Sequence, residues 1–278
     1  MKLNRLFAAA VALAGAVSCG PAAMVSSMPD SKVAIVAHRG YWDCDEGGHA
    51  QNSVAALKAA QDAGFWGSEF DVQLTLDGIV VSNHDKEYGP EKMVIAEHTY
   101  AELLKYTLPN GEKLPTLEEY LAQGAKCSTT MLVLEVKPQK TDSLTAELVD
   151  RTMEIVRKMD LYDPSRICFI SFSKFACDRL VEKHPQFDVE FLAFNPLTSL
   201  SSSENAECGY YGADYNVVLF KLQPRLIRNL HKKGLKANVW TIDKPKTIKD
   251  LISKGIDQVT TNNPMAAREI LGEKEYKL

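Results

Sequence analysis

From residue 32 onward, short β-branched runs alternate with stretches whose apolar positions recur every three to four residues. The first pattern predicts strands and the second helices packed by one face. Strands are expected at 32–38 (KVAIVAH), 67–75, 131–137 (MLVLEVK), 166–172, 188–194, 214–220, 236–242 and 257–261. Helices are expected at 52–64, 100–106, 116–124, 143–158, 174–184, 224–233, 247–254 and 264–271. Thr116 with Glu119 three residues on is a capping-box pattern. Pro224 and Gly234 bracket their helix in the usual order of proline at the start and glycine at the stop. Asp77-Gly78 is a hairpin signal, so 79–83 should return antiparallel to the second strand. The Ser-rich stretch 198–209 reads as a polar loop.

With the hairpin return set aside, eight strands remain, each followed by a helix or loop. Strand–helix alternation implies right-handed parallel crossovers. Eight such units in about 250 residues match a (β/α)8 TIM barrel with a β-hairpin excursion after strand 2. An open doubly wound sheet is the alternative, but no G-x-G-x-x-G or P-loop follows the first strand. Residues 32–278 are read as one domain.

The first 31 residues follow neither pattern. Lys2 and Arg5 precede an apolar stretch from Leu6 to Val17. That stretch is too short to span a bilayer and suits a signal peptide over 1–18. Ala16-Val17-Ser18-Cys19 resembles a bacterial lipoprotein cleavage site, with Cys19 acylated and 19–31 acting as a tether. Ordinary secretion with cleavage elsewhere is the alternative. The expectation is an exported, periplasmic or membrane-anchored lipoprotein. Loss of Lys2 and Arg5 would take the net charge from −4 to −6. This balance excludes an overall basic field for nucleic acid and disfavours anionic membrane surfaces. Cys44, Cys127, Cys168, Cys177 and Cys208 would remain, without metal-finger spacing. Their odd number leaves at least one thiol unpaired within the chain. Cys168 fits a small buried hydrophobe.

Strands of a parallel barrel should be apolar, so charge at their C-terminal ends is informative. Strand 1 ends in His38-Arg39-Gly40, and strand 2 carries Glu69 and Asp71. These two carboxylates are two residues apart and share one face. Glu135 on the next strand can join them, followed by Lys137. Three carboxylates suit one hard divalent ion, Mg²⁺ or Ca²⁺. Solvent exposure or pairing with a lysine is the alternative. Taken singly, His38 reads as a hydrogen-bonded core histidine, Arg39 as a surface ion pair and Lys137 as a snorkelling lysine. His84-Asp85 reads as a polar turn and Trp240 as core. Their shared position at the C-terminal face of a barrel favours a site. His49, His98, His184 and His231 read as surface residues. No G-x-S-x-G surrounds Ser171 or Ser173, so a serine hydrolase is not supported.

The stretches AHRG (37–40), SEFDVQLTLDGIVVSNHD (68–85), LVLEVK (132–137), NVWTID (238–243) and GIDQVTTNNP (255–264) resemble the glycerophosphodiester phosphodiesterase family, in family order. The resemblance implies the (β/α)8 barrel and hydrolysis of glycerophosphodiesters to glycerol 3-phosphate and an alcohol. It implies His38 and His84 as the acid–base pair, and Glu69, Asp71 and Glu135 as ligands of a divalent cation. It also implies Arg39 and Lys137 as phosphate contacts, Trp240 as an aromatic wall, and the His84 hairpin over the mouth. Gln51-Asn52-Ser53 departs from the family's Glu-Asn-Thr, which questions any role of that glutamate around the metal. The loop 41–50, with Trp42, Asp43, Asp45 and Glu46, could reshape the pocket or add acidic groups near it. The rival readings are a phospholipase C-like or sphingomyelinase D-like lipid phosphodiesterase, and a non-catalytic lipoprotein binding phosphodiesters or sugars.

Overall fold

The β-branched runs form strands, and in the computed structural model, which describes residues 32–277, eight of them close on themselves. In chain order the elements are β1 (Val33–Ala37), α1 (Val54–Asp62), β2 (Gly67–Leu74), β3 (Val80–Ser82), β4 (Glu87–Tyr88), β5 (Met93–Val94), α2 (Tyr100–Leu103) and α3 (Leu117–Gly124). Next come β6 (Met131–Val136), α4 (Asp142–Lys158), β7 (Ile167–Ser171), α5 (Lys174–Lys183), β8 (Val189–Ala193), α6 (Ser202–Glu207) and β9 (Gly212–Asn216). The last are α7 (Val217–Leu222), α8 (Leu226–His231), β10 (Lys236–Trp240), α9 (Pro245–Ser253), β11 (Gln258–Thr261), α10 (Pro264–Leu271) and β12 (Glu275–Tyr276).

Parallel ladders run β1–β2–β6–β7–β8–β9–β10–β11, and β11 returns to β1. The eightfold βα barrel is therefore complete. Outward strand residues pack under the helices in one continuous core that includes Ile35, Phe70, Leu134, Phe169, Tyr215 and Val239. Inward residues Ala34, Val36, Met131, Val133, Cys168, Ile170 and Leu192 fill the lumen. Cys168 is the buried hydrophobe expected, and the five cysteines among the described residues are all free. The leader, Cys19 and the tether lie outside the described residues.

The hairpin forms as the Asp77-Gly78 turn predicts, with β3 antiparallel to β2. Thr116 and Glu119 make the reciprocal capping box. Two expectations fail for one reason, an unread helix cap. Within the supposed loop 198–209, Ser201 and Glu204 form a capping box that starts α6. The strand expected over 214–220 ends at Asn216, whose side chain accepts the Val218 N–H at 3.1 Å and starts α7. A side-chain cap there overrides the β preference of Val217 and Val218.

β1 meets β2 only through Val36 and Ala37, next to the site, and leaves the opposite end of this edge open to another strand. β12 pairs with Val33 and Ala34 instead, parallel to β1. Arg268 clamps this seam. It pairs with Glu275 at 2.8 Å, donates to the Ala63 and Gly64 carbonyls at 2.8 and 3.0 Å, and stacks on Phe65.

Candidate active site

The C-terminal strand ends hold the polar residues that the sequence singles out. In the β2–β6 ladder Asp71 lies opposite Glu135, and Glu69 shares the inner face two residues earlier. Glu69, Asp71 and Glu135 each present one oxygen, all within 4.8 Å of one another, and all three are buried. Lys137 is not a surface lysine. It is half-buried, with its ammonium 3.2 Å from Asp71 Oδ1 and 2.9 Å from Glu135 Oε1. One ammonium cannot neutralise three carboxylates. Burial, with Asp71 and Glu135 nearby, pushes the Glu69 carboxyl well above its ordinary range. Burial and Asp71 likewise raise Glu135 to about 8. Burial alone would raise Asp71, but Lys137, His84 and the Asn52 amide hold it low.

This donor set fits a hard divalent cation. Its oxygens converge, and the three carboxylates outnumber the one ammonium that Asp71 Oδ1 and Glu135 Oε1 share. The residues that would hold it are Glu69, Asp71 and Glu135.

Two strained residues frame this group. Arg39 (φ +56°) and Asn52 (φ +58°) adopt the left-handed conformation that side chains usually avoid. At Arg39 the turn aims its backbone N–H at Glu69 Oε2, 2.7 Å away. At Asn52 the side chain donates to Asp71 Oδ2 at 2.8 Å and accepts the Asp71 N–H at 3.0 Å. Gly40 between them cannot be replaced, since an added Cβ would lie 2.6 Å from that of Ala56. Strain at a carboxylate cluster is the pattern of a functional site rather than of a core.

His38 lies at the end of β1, with Nε2 4.0 Å from Glu69 Oε2. Its Nδ1 is 2.8 Å from Asn262 Oδ1. That amide is itself oriented, because its nitrogen donates to Asp243 Oδ2 at 3.1 Å and its oxygen also accepts the Trp42 indole N–H at 3.2 Å. Asn262 therefore offers an acceptor, and His38 carries its proton on Nδ1, leaving a lone pair on Nε2. Burial and the neighbouring Arg39 lower its pKa to about 4, so it is neutral. His84 follows β3 and is less buried, with Nδ1 2.7 Å from Asp85 Oδ1. Burial lowers it too, while Asp71 and Asp85 oppose that shift.

His38, Arg39, Glu69, His84, Glu135 and Trp240 line one cavity of about 210 Å³. Phe172 and Phe194 extend the Trp240 wall outward, at ring distances of 5.3 and 6.1 Å. Gln51 does not reach the carboxylates; it accepts from the Arg39 guanidinium at 2.6 Å. The acidic residues of the 41–50 loop stay exposed, Asp43 meeting His49 at 3.3 Å. His49 and His231 are surface residues as expected. His184 is not; it is buried and takes a hydrogen bond from the Tyr162 hydroxyl at 2.9 Å. Its position at the C-terminal cap of α5, under Tyr162, is what a surface reading of a helix end overlooks.

Sequence reasoning noted Asn262 only as the polar end of strand 8 and missed three contributors: Asp243, Gln73 and Asp214. Gln73 continues the Glu69–Asp71 face by two residues, which was a usable signal. Its amide donates to the carbonyls of Asn83, His84 and Asp85 at 2.8, 3.2 and 2.5 Å, fixing the hairpin that carries His84.

A (β/α)8 barrel with three convergent carboxylates, two histidines and two cations around one mouth defines a class of phosphate-ester enzymes. The sequence profile of the glycerophosphoryl diester phosphodiesterase family matches residues 38–266, and the chain belongs to that family. A glycerophosphodiester phosphodiesterase of Caldanaerobacter subterraneus subsp. tengcongensis is 24% identical over 244 residues, covering 84% of this chain and 95% of that protein. The crystal structure of a glycerophosphodiester phosphodiesterase from Parabacteroides distasonis superposes with a TM-score of 0.81 at 35% identity, over 88% of this chain and 98% of that one. An Oleispira antarctica phosphodiesterase, in complex with the product sn-glycerol-3-phosphate, has the same fold, with a TM-score of 0.74 at 23% identity. The match covers 86% of this chain and 97% of that one.

Proposed function

We propose that this protein is a divalent-metal-dependent phosphodiesterase that splits glycerophosphodiesters into glycerol 3-phosphate and an alcohol. The observation that carries the proposal is the joint lining of one cavity by His38, Arg39, Glu69, His84 and Glu135, with Asp71 and Lys137 directly behind. The relatives named as glycerophosphodiester phosphodiesterases support the same substrate class.

Phosphodiester hydrolysis needs charge neutralisation, a base and an acid. A Mg²⁺ or Ca²⁺ held by Glu69, Asp71 and Glu135 would neutralise charge on the non-bridging oxygens. Arg39 and Lys137 supply fixed positive charge on the same side. The orienting partners separate the two histidines. His38 donates Nδ1–H to a neutral amide and keeps a lone pair on Nε2, which suits proton acceptance from the attacking oxygen. His84 has a carboxylate at Nδ1, which favours the imidazolium and suits protonation of the leaving alkoxide. Trp240, held by its indole N–H to the Asp214 carbonyl at 2.9 Å, gives the substrate an apolar wall.

The test is ³¹P NMR of products from glycerophosphocholine with Mg²⁺, Ca²⁺ or EDTA. Metal-dependent glycerol 3-phosphate is expected. Turnover unchanged by EDTA overturns the metal assignment, and phosphocholine as product overturns the bond assignment. A transient cyclic phosphate would identify the substrate's own hydroxyl as nucleophile rather than water. The basic start, apolar stretch and Cys19 support a second proposal, export and acylation at Cys19. Radiolabelled palmitate retained by wild type and lost in Cys19→Ala is the expected result, and no label in wild type overturns it.

A further inference from the structure

The cavity floor carries a carboxylate that the chemistry above does not use. Asp214 lies opposite Leu192 of β8 and Asn238 of β10 in the parallel ladders, so all three share the inner face of the barrel. It lines the same cavity as His38 and His84 and is 3% exposed. Its Oδ1 is buried without a hydrogen-bond partner. Such an acceptor costs stability unless something fills its valence. Among the described residues no cation pairs with it, and Leu192 and Trp240 of the same cavity lie beside it.

On the reading of the site as a glycerophosphodiesterase, we infer that the Asp214 carboxyl is a specificity-determining residue that receives a hydroxyl of the substrate's glycerol moiety. The cavity is graded in a way that supports this orientation. Cations and carboxylates suit the phosphate, the rings of Phe172 and Phe194 extend the Trp240 wall, and Asp214 is a polar point among apolar neighbours. A hydroxyl is the ligand that suits this floor best, because it can donate to a carboxylate and accept from a carboxylic acid. Burial raises Asp214 to about 7, which moves it toward the protonated form. A buried acceptor of this kind discriminates strongly against analogues that lack the hydroxyl, since they leave it unpaired.

Calorimetric titration of the Mg²⁺-loaded full chain with glycerol 3-phosphate and with propyl phosphate tests this inference. Wild type should prefer glycerol 3-phosphate by at least about tenfold, and Asp214→Leu should abolish the preference while keeping propyl phosphate affinity. Asp214→Asn, which preserves shape and one acceptor, should reduce the preference partially and serves if the leucine variant does not fold. An unchanged preference in a folded Asp214 variant overturns the inference while wild-type turnover of glycerophosphocholine still stands. A wild type that binds both phosphates equally also overturns it. A wild type that neither binds these phosphates nor releases glycerol 3-phosphate overturns the underlying activity instead.

Discussion

Two groups of acids are buried in this barrel, and the protein treats them differently. At the mouth, Glu69, Asp71 and Glu135 face Lys137, with the Arg39 N–H and the Asn52 amide as further donors. Deeper in the lumen, Glu190 and Asp214 pair with no cation among the described residues; Glu190 leans on the Asn238 amide, and Asp214 Oδ1 has no partner among them. Burial, with Asp214 beside it, pushes Glu190 well above the ordinary carboxylate range, and burial raises Asp214 as well. Burial raises Glu69 and Glu135 as it raises the lumen acids, and what sets the mouth apart is Asp71, which Lys137 holds ionised, and the convergence of three carboxylate oxygens. Burial by itself therefore does not mark a metal site. Convergence of oxygens together with fixed counter-charge does.

The largest effect that would break this contrast is at the mouth. Asp71→Asn should lower kcat/KM for glycerophosphocholine by about 10³-fold or more, since it removes one carboxylate and the strongest partner of Lys137. Glycerol 3-phosphate release and Mg²⁺ titration would both report it. His38→Ala should cost about 10²–10⁴-fold in kcat with Mg²⁺ binding retained. Near-normal turnover would remove His38 from the proton path.

The lumen should respond in stability rather than in rate. The folded pKa values of Glu190 and Asp214 lie above their unfolded values, so the native state holds the protons more tightly. Their contribution is complete below the ordinary carboxylate range and is lost as pH rises toward about 7 and beyond. Glu190→Gln should therefore melt higher than wild type at pH 8, by about 2–4 °C per kcal/mol recovered, and lose that advantage near pH 4. Melting curves of the two proteins across this range check it. An advantage that grew toward acid would invert the reading of the lumen. The smallest effect is expected for Gln51→Glu. Its contact is the Arg39 guanidinium rather than the carboxylate trio, so kcat/KM should change by less than about fivefold.

The mouth was readable in sequence because its residues sit at strand ends with period-two spacing: His38, Glu69 with Asp71, and Glu135 with Lys137. The resemblance added roles for them. Asn262 was visible only as a polar strand end, because its partner His38 lies 224 residues away, and Asp243 acts through Asn262. Asp214 looked like the start of a strand, and only the register with Leu192 turns it inward. The β strands followed from β-branched runs. The helix starts at Ser202 and Val217 depended on single side-chain caps, Ser201 and Asn216, which β propensity and polarity concealed.

The seam at the opposite end of the barrel bears on how the chain reaches this state. β1 is the first strand of the barrel, yet its edge at Val33 and Ala34 finds its partner only when Glu275 and Tyr276 arrive. Loop-closure entropy makes such a distant pairing slow, and contacts of this separation lengthen folding. The barrel thus carries an unpaired strand edge until its last strand forms, and the Arg268–Glu275 clamp latches that closure.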